Sequence, residues 1–175
     1  MQFEIRHVFP TDPETFWTRV FFDREFMRRT YTEVLGFREF ELLELTGEPG
    51  GVRTRKMRTR PASEPPAVVK KLAGGPIDYT ETGRFDPATG LWTYQMTTSA
   101  SEKVQIGGVV RAVAHPDGLE RILEGHVNVK VFGVGKAVER FIEKTTRDGY
   151  ERSVAFTAEY IRELGLDRGR TEEAS

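Results

Sequence analysis

The sequence contains no cysteine. That excludes disulfides, thiolate metal sites, iron-sulfur ligation and a cysteine nucleophile, so packing has to hold the fold together. It also lacks any apolar run near the roughly 18 residues that a membrane-spanning helix requires. Its first residues, MetGlnPheGluIleArgHisValPhePro, have neither the basic start nor the apolar middle of a secretory signal. These absences predict an intact cytoplasmic protein with no stable membrane insertion. An excess of one charge is missing too. The 26 Lys and Arg stand against 27 Asp and Glu, for a net charge of −1, which gives no global attraction to nucleic acid or to an anionic surface. Hydrophobic residues make up 38% of the 175 residues. A single domain of that length removes about 70% of its unfolded surface from water, enough for a sizeable core.

Signatures of chemistry are equally sparse. His7, His115 and His126 lie far apart, and none belongs to a short His/Asp/Glu spacing, so no metal is expected. The chain has no GlyxSerxGly elbow, and no GlyxGlyxxGly follows a strand. GlyValGlyLys at 133 to 136 lacks the spacing of a phosphate loop. No cofactor is expected either.

The local patterns are more legible. From Gln2 to Phe9 the residues Phe3, Ile5, His7 and Phe9 alternate with more polar ones, the two-residue period of a half-buried strand. Pro10 stops it. Thr11 with Glu14 three residues on predicts a capping box, with Pro13 in the first turn. Two short helices are expected next, the second starting at Asp23 and ending at Gly36. Strands are then expected near 37 to 45, 51 to 60, 77 to 85, 91 to 99, 103 to 114 and 119 to 131. They are separated by the turn clusters GlyGluProGlyGly (47 to 51), AspProAlaThrGly (86 to 90) and HisProAspGly (115 to 118). The link from Pro61 to Pro76 holds four of the nine prolines and a helical turn at 67 to 72. Links of that length often cover a site, so this one is a candidate gate. Val134, Val138, Phe141, Ile142, Thr145, Tyr150, Val154, Thr157, Ile161 and Leu164 then predict an amphipathic helix of about 30 residues, about 45 Å long, which Gly149 interrupts. The domain is expected to span 1 to 166, followed by a disordered tail, 167 to 175.

ArgThrArgLysMetArgThrArg (53 to 60) carries five basic residues in eight. Opposite charges on neighbouring strands stabilise each other modestly, so Glu39, Glu41 and Glu44 across the hairpin are their expected partners. With no groove-entering motif and no array of exposed aromatics, nucleic acid is not an expected partner.

This order of elements predicts an α+β fold. Six sequential antiparallel strands and the first one form a seven-stranded curved sheet, and the long last helix is the only element able to cover its buried face. GlyGly at 107 and 108 predicts a bulge or bend where the curl is sharpest.

The layout, the passage from HisValPhePro to AspProGluThrPheTrp, and GluGlyHisValAsnValLysValPheGlyValGlyLysAlaValGluArgPheIle (124 to 142) resemble the START-like helix-grip superfamily of polyketide cyclases, lipid-transfer domains and plant pathogenesis-related proteins. Within it the chain is most similar to uncharacterised bacterial START-like families. PheGlyValGly (132 to 135) departs from the proline that related families often carry before the helix. The resemblance implies a cavity between sheet and helix for a hydrophobic or amphipathic small molecule.

Strand parity turns His7, Tyr79, Glu81, Trp92, Tyr94, Met96, Val110 and Arg121 toward that interior, and Phe141, Ile142 and Thr145 face them from the helix. These are the candidate ligand-binding residues. A buried ionisable group needs a partner or a ligand, and a Glu81 to Arg121 pair would satisfy both. Three functions remain open: binding or transport of a lipid, fatty acid, sterol-like or polyketide compound; a cyclase or aromatase-like enzyme using His7 with Glu81, or Tyr79, as acid and base; and a protein-interaction module with a solid interior. A homodimer is compatible with each.

Overall fold

In a computed structural model that describes residues 1–62 and 64–168, the first alternating segment forms β1 (Gln2–Phe9), with Ile5 and Phe9 buried. Asp12, rather than Thr11, caps the helix that follows. Its Oδ1 accepts the Thr15 backbone N–H at 2.9 Å and its Oδ2 accepts the Thr15 hydroxyl at 2.8 Å. Thr11 is buried and donates its hydroxyl to the Leu166 carbonyl at 2.8 Å, tying the start of the fold to its end. Helix α1 (Pro13–Thr15) widens into a π-helical turn, Phe16–Val20, closed by the Phe21 N–H on the Phe16 carbonyl at 2.9 Å. Asp23 caps α2 (Arg24–Arg29), accepting the Phe26 N–H at 2.8 Å; a second wide turn, Thr30–Val34, follows, and Gly36 leaves it at φ 66°.

The remaining strands are β2 (Glu39–Thr46), β3 (Arg53–Arg60), β4 (Tyr79–Asp86), β5 (Leu91–Thr98), β6 (Val104–His115) and β7 (Gly118–Val129). They form one seven-stranded antiparallel sheet in the order β1-β7-β6-β5-β4-β3-β2. On the outside, Glu39 meets Arg60 and Glu41 meets Arg58, as the hairpin charges predict, while Arg60 also grips Asp78. The expected bulge at Gly107 and Gly108 does not form: the register runs unbroken through both, and the irregularity lies in β2, between Leu42 and Glu44. These glycines make room for rings instead. A Cβ at Gly108 would crowd the Tyr94 ring, one at Gly83 the Trp92 indole, and one at Gly125 the Phe3 ring. Three large aromatics therefore lie over strand glycines of the concave face.

Helix α4 (Gly135–Glu163) has 29 residues and runs unbroken through Gly149. It packs against β7, β1 and the Thr30–Val34 turn. Within the 61 to 76 link, α3 (Ala67–Ala73) places Val69 beside Val138 and Ile142 of α4. The core divides in two. One cluster joins Tyr160 and Ile161 to Phe9, Phe16, Trp17, Trp92 and Leu123; the other joins Val138 and Ile142 to Val69, Ile106, Val127 and Val129. Between them the inward positions of α4 are Thr146, Gly149 and Tyr150, all half-buried. The helix packs on the sheet through both clusters; Tyr150 lies against the first, and Phe3 and Met96 touch both. Of the expected tail, residues 169 to 175 lie outside the described residues; Arg168 donates its backbone N–H to the Pro10 carbonyl at 3.0 Å.

Candidate functional site

The middle of the grip is polar. Arg55 of β3 and Glu81 of β4 are 5% and 8% exposed, and Arg55 donates Nη2 and Nε to Glu81 Oε1 at 2.6 and 3.2 Å. The Arg55 guanidinium also lies 4.7 Å from the Phe21 ring centre and 4.8 Å from that of Trp92, a cation–π enclosure on two sides. Burial works against its charge, but Glu81 more than offsets this and holds the guanidinium above its ordinary value. The Glu81–Arg121 pair anticipated from parity is not formed. Glu81 sits opposite Met57 in the register, one diagonal from Arg55, whereas β5 and β6 separate β4 from β7. At about 4.8 Å per strand, Arg121 is out of reach.

Tyr31, Tyr94 and Tyr150 lie around this pair, and Tyr79 sits two residues before Glu81 on β4. Tyr31, from the second wide turn, stacks on Phe40 at 5.1 Å between ring centres; Tyr79 and Tyr94 come from β4 and β5, and Tyr150 from the middle of α4. Burial pushes all four hydroxyls up. Tyr31, Tyr94 and Tyr150 also feel the Glu81 charge and, between them, one another, so the three converge on one region. Each is a protonated donor at neutral pH. Among the described residues none of the four hydroxyls has a hydrogen-bond partner, and none is sealed off by protein. Tyr31, Tyr79 and Tyr150 retain accessible surface although they lie deep. Buried polar groups in filled cores usually find partners, and these phenols have none among the described residues.

At the other side, Arg121 is 7% exposed and lies opposite His7 across the β1–β7 ladder. Its Nη2 donates to His7 Nδ1 at 3.0 Å, and His7 Nε2 is 3.0 Å from Glu151 Oε1 on α4. Because an arginine only donates, His7 Nδ1 is the acceptor and its proton resides on Nε2, facing Glu151. The Phe9 and Tyr150 rings flank the guanidinium at 4.9 and 4.6 Å. Burial pulls Arg121 down from its ordinary value; Tyr150 and Glu151 oppose this.

The sequence candidates therefore have different places. Tyr79, Glu81, Tyr94, Met96, His7 and Arg121 border the interior, whereas Trp92, 1% exposed, and Val110 are core residues packed inside the first cluster. Ile142 belongs to the second cluster with Phe141 against it, and Thr145 is exposed, its hydroxyl donated back to the Phe141 carbonyl at 2.9 Å. Arg55, Tyr31 and Tyr150 were not anticipated. The signal for Arg55 was present: Lys56 and Arg58 alternate with Met57 and Thr59, which puts Arg55 on the inward parity. Two recesses of about 560 and 430 Å³ are lined by strand residues of both parities, among them Gln95 and His126, and no α4 residue walls either. Among the described residues no helix is long and apolar enough to cross a membrane.

An open antiparallel sheet curled on one long C-terminal helix, with two short helical segments after the first strand, is the START-like helix-grip fold. The protein TTHA0849 from Thermus thermophilus shares it with TM-score 0.66 at 12% identity, over 94% of this chain and 99% of that one. The Zhui aromatase/cyclase from Streptomyces sp. R1128 matches with TM-score 0.64 at 14% identity, over 100% and 99%. Ara h 8.0201 matches with TM-score 0.58 at 13% identity, over 90% and 97%. No curated protein sequence matches this chain. The chain belongs to the family described as "Protein of unknown function (DUF2505)", which it matches over residues 4–161.

Proposed function

We propose that the protein binds a hydrophobic or amphipathic small molecule between the concave face of the sheet and α4. The observation that carries this is the group of deep phenol hydroxyls, beside the two core clusters, that have no partner among the described residues. An apolar enclosure with a few convergent donors is the usual make-up of a small-molecule site. Phe3 and Tyr94 supply the floor, and Tyr31, Tyr79 and Tyr150 supply donors for carbonyl or hydroxyl oxygens. A compound with several oxygens on an apolar frame, such as a polyketide, suits this lining better than a plain hydrocarbon. The test is native mass spectrometry of freshly purified protein before and after organic extraction. The expected result is a bound mass that extraction removes. A clean apo mass, together with no uptake of 2-naphthalenemethanol or dodecanoate, would overturn the reading.

A second reading, an aromatase/cyclase-like enzyme, draws on the same phenols. Donors that remain protonated at neutral pH stabilise an enolate as it forms, and the Zhui protein is an aromatase/cyclase on this fold. Turnover of a linear poly-β-ketone that Tyr150→Phe slows without weakening its binding would favour catalysis over carriage.

A further inference from the structure

Two arginines are buried in the interior to nearly the same degree, and only one has a carboxylate. Arg55 has Glu81 at 2.6 Å. Arg121 has a neutral imidazole acceptor at 3.0 Å and the faces of two rings. Among the described residues no Asp or Glu reaches it, and its Nε and Nη1 have no partner; neither atom is sealed by protein. An isolated cation held out of water is costly unless an anion joins it. Surface charges are usually free to turn into water, but Arg121 is clamped. His7 fixes one end of the guanidinium, Glu151 fixes His7 through Nε2, and Phe9 and Tyr150 hold its two faces. His7 takes one N–H of Nη2; Nη2 shares one donor edge with Nε and the other with Nη1, so its second N–H leaves one complete edge open, a geometry that matches the two oxygens of a carboxylate.

We propose that Arg121 is the anchor for an anionic group of the ligand, and that the interior site takes amphiphiles carrying a carboxylate. This rests on the binding site proposed above and adds which end of the ligand goes where. The carboxylate receives the open edge of Arg121, and the apolar body runs past Tyr150 toward Tyr94, Tyr31 and the Arg55–Glu81 pair. That pair is already neutralised and offers the body hydrogen bonds without a second uncompensated charge. His7 is a positioning residue: it touches Arg121 and not the ligand.

The test compares two probes of nearly equal shape, 2-naphthoate and 2-naphthalenemethanol, by fluorescence titration on the full chain. A charge-assisted pair in a desolvated site is expected to favour the carboxylate by about tenfold or more. Arg121→Gln should bring that ratio close to one while leaving the alcohol's affinity within about threefold and the far-UV circular dichroism intact. Equal binding of the two probes to the wild-type protein overturns the anchor and leaves the cavity standing. Failure of both probes to bind removes the cavity reading and the anchor with it. The wild-type ratio needs no variant, so a poorly folding Arg121→Gln does not blunt the experiment.

Discussion

At the scale of single residues, Arg55 and Arg121 show how much depends on what lies one strand away. Arg55 meets Glu81 because β3 and β4 are neighbours, and the pair is enclosed by Phe21, Trp92 and Met27. Removing one member of a buried pair strands the other charge, so Arg55→Met is expected to lower stability by about 3–5 kcal/mol. The double variant Arg55→Met with Glu81→Leu should recover most of that loss, because two apolar side chains of similar volume need no compensation. Urea unfolding midpoints of the single and double variants check both statements. A double variant as unstable as the single one would mean that the pair itself, and not the stranded carboxylate, carries the stability.

At the scale of elements, short helices depend on their first turn. Asp23 Oδ1 accepts the Phe26 N–H at 2.8 Å and also the Tyr160 hydroxyl at 2.6 Å, so one carboxylate both starts α2 and fastens it to the far end of α4. Burial and the adjacent carboxylate push the Tyr160 phenol up, keeping it a donor. Asp23→Ala should cost about 1–2 kcal/mol for the lost cap. Tyr160→Phe removes only the long-range link and should cost less. Thermal melts of the two variants rank them, and equal losses would show that the cap contributes nothing of its own.

At the scale of the whole molecule, near-neutral net charge hides many paired carboxylates. The Arg60 hydrogen bonds hold Asp78 below the usual carboxylate range. Partial burial works against Asp12, but the Thr15 N–H, the Thr15 hydroxyl and Arg168 outweigh it and lower that group as well. In both, the folded-state value lies below the unfolded one. Their contribution is therefore complete above about pH 5, falls once the unfolded carboxylates begin to protonate, and is gone when the pH has fallen through the folded-state values. The melting temperature should hold from neutral pH to about pH 5 and then decline, and Asp78→Asn should flatten part of that decline. An unchanged slope in Asp78→Asn would show that its pairing with Arg60 is not coupled to folding.

Much of this architecture was legible in the sequence because it is set locally. The two-residue period of β1, the three-and-four spacing of α4 and the Gly and Pro clusters between strands depend on neighbours in the chain, and the structure follows them to within a few residues. Parity alone also turned Glu81 and Arg121 inward. Partners, rings and voids are decided by distances across the sheet, which no local pattern contains. Glu81 went to Arg55 because the two lie on adjacent strands. Gly108 took a tyrosine ring where a bulge was one expectation, since a missing Cβ serves either purpose. Trp92 became core and Tyr150 came to lie on Arg121 of β7 through contacts between segments far apart in the chain. Such contacts leave no trace in a local pattern, and packing in three dimensions decides them.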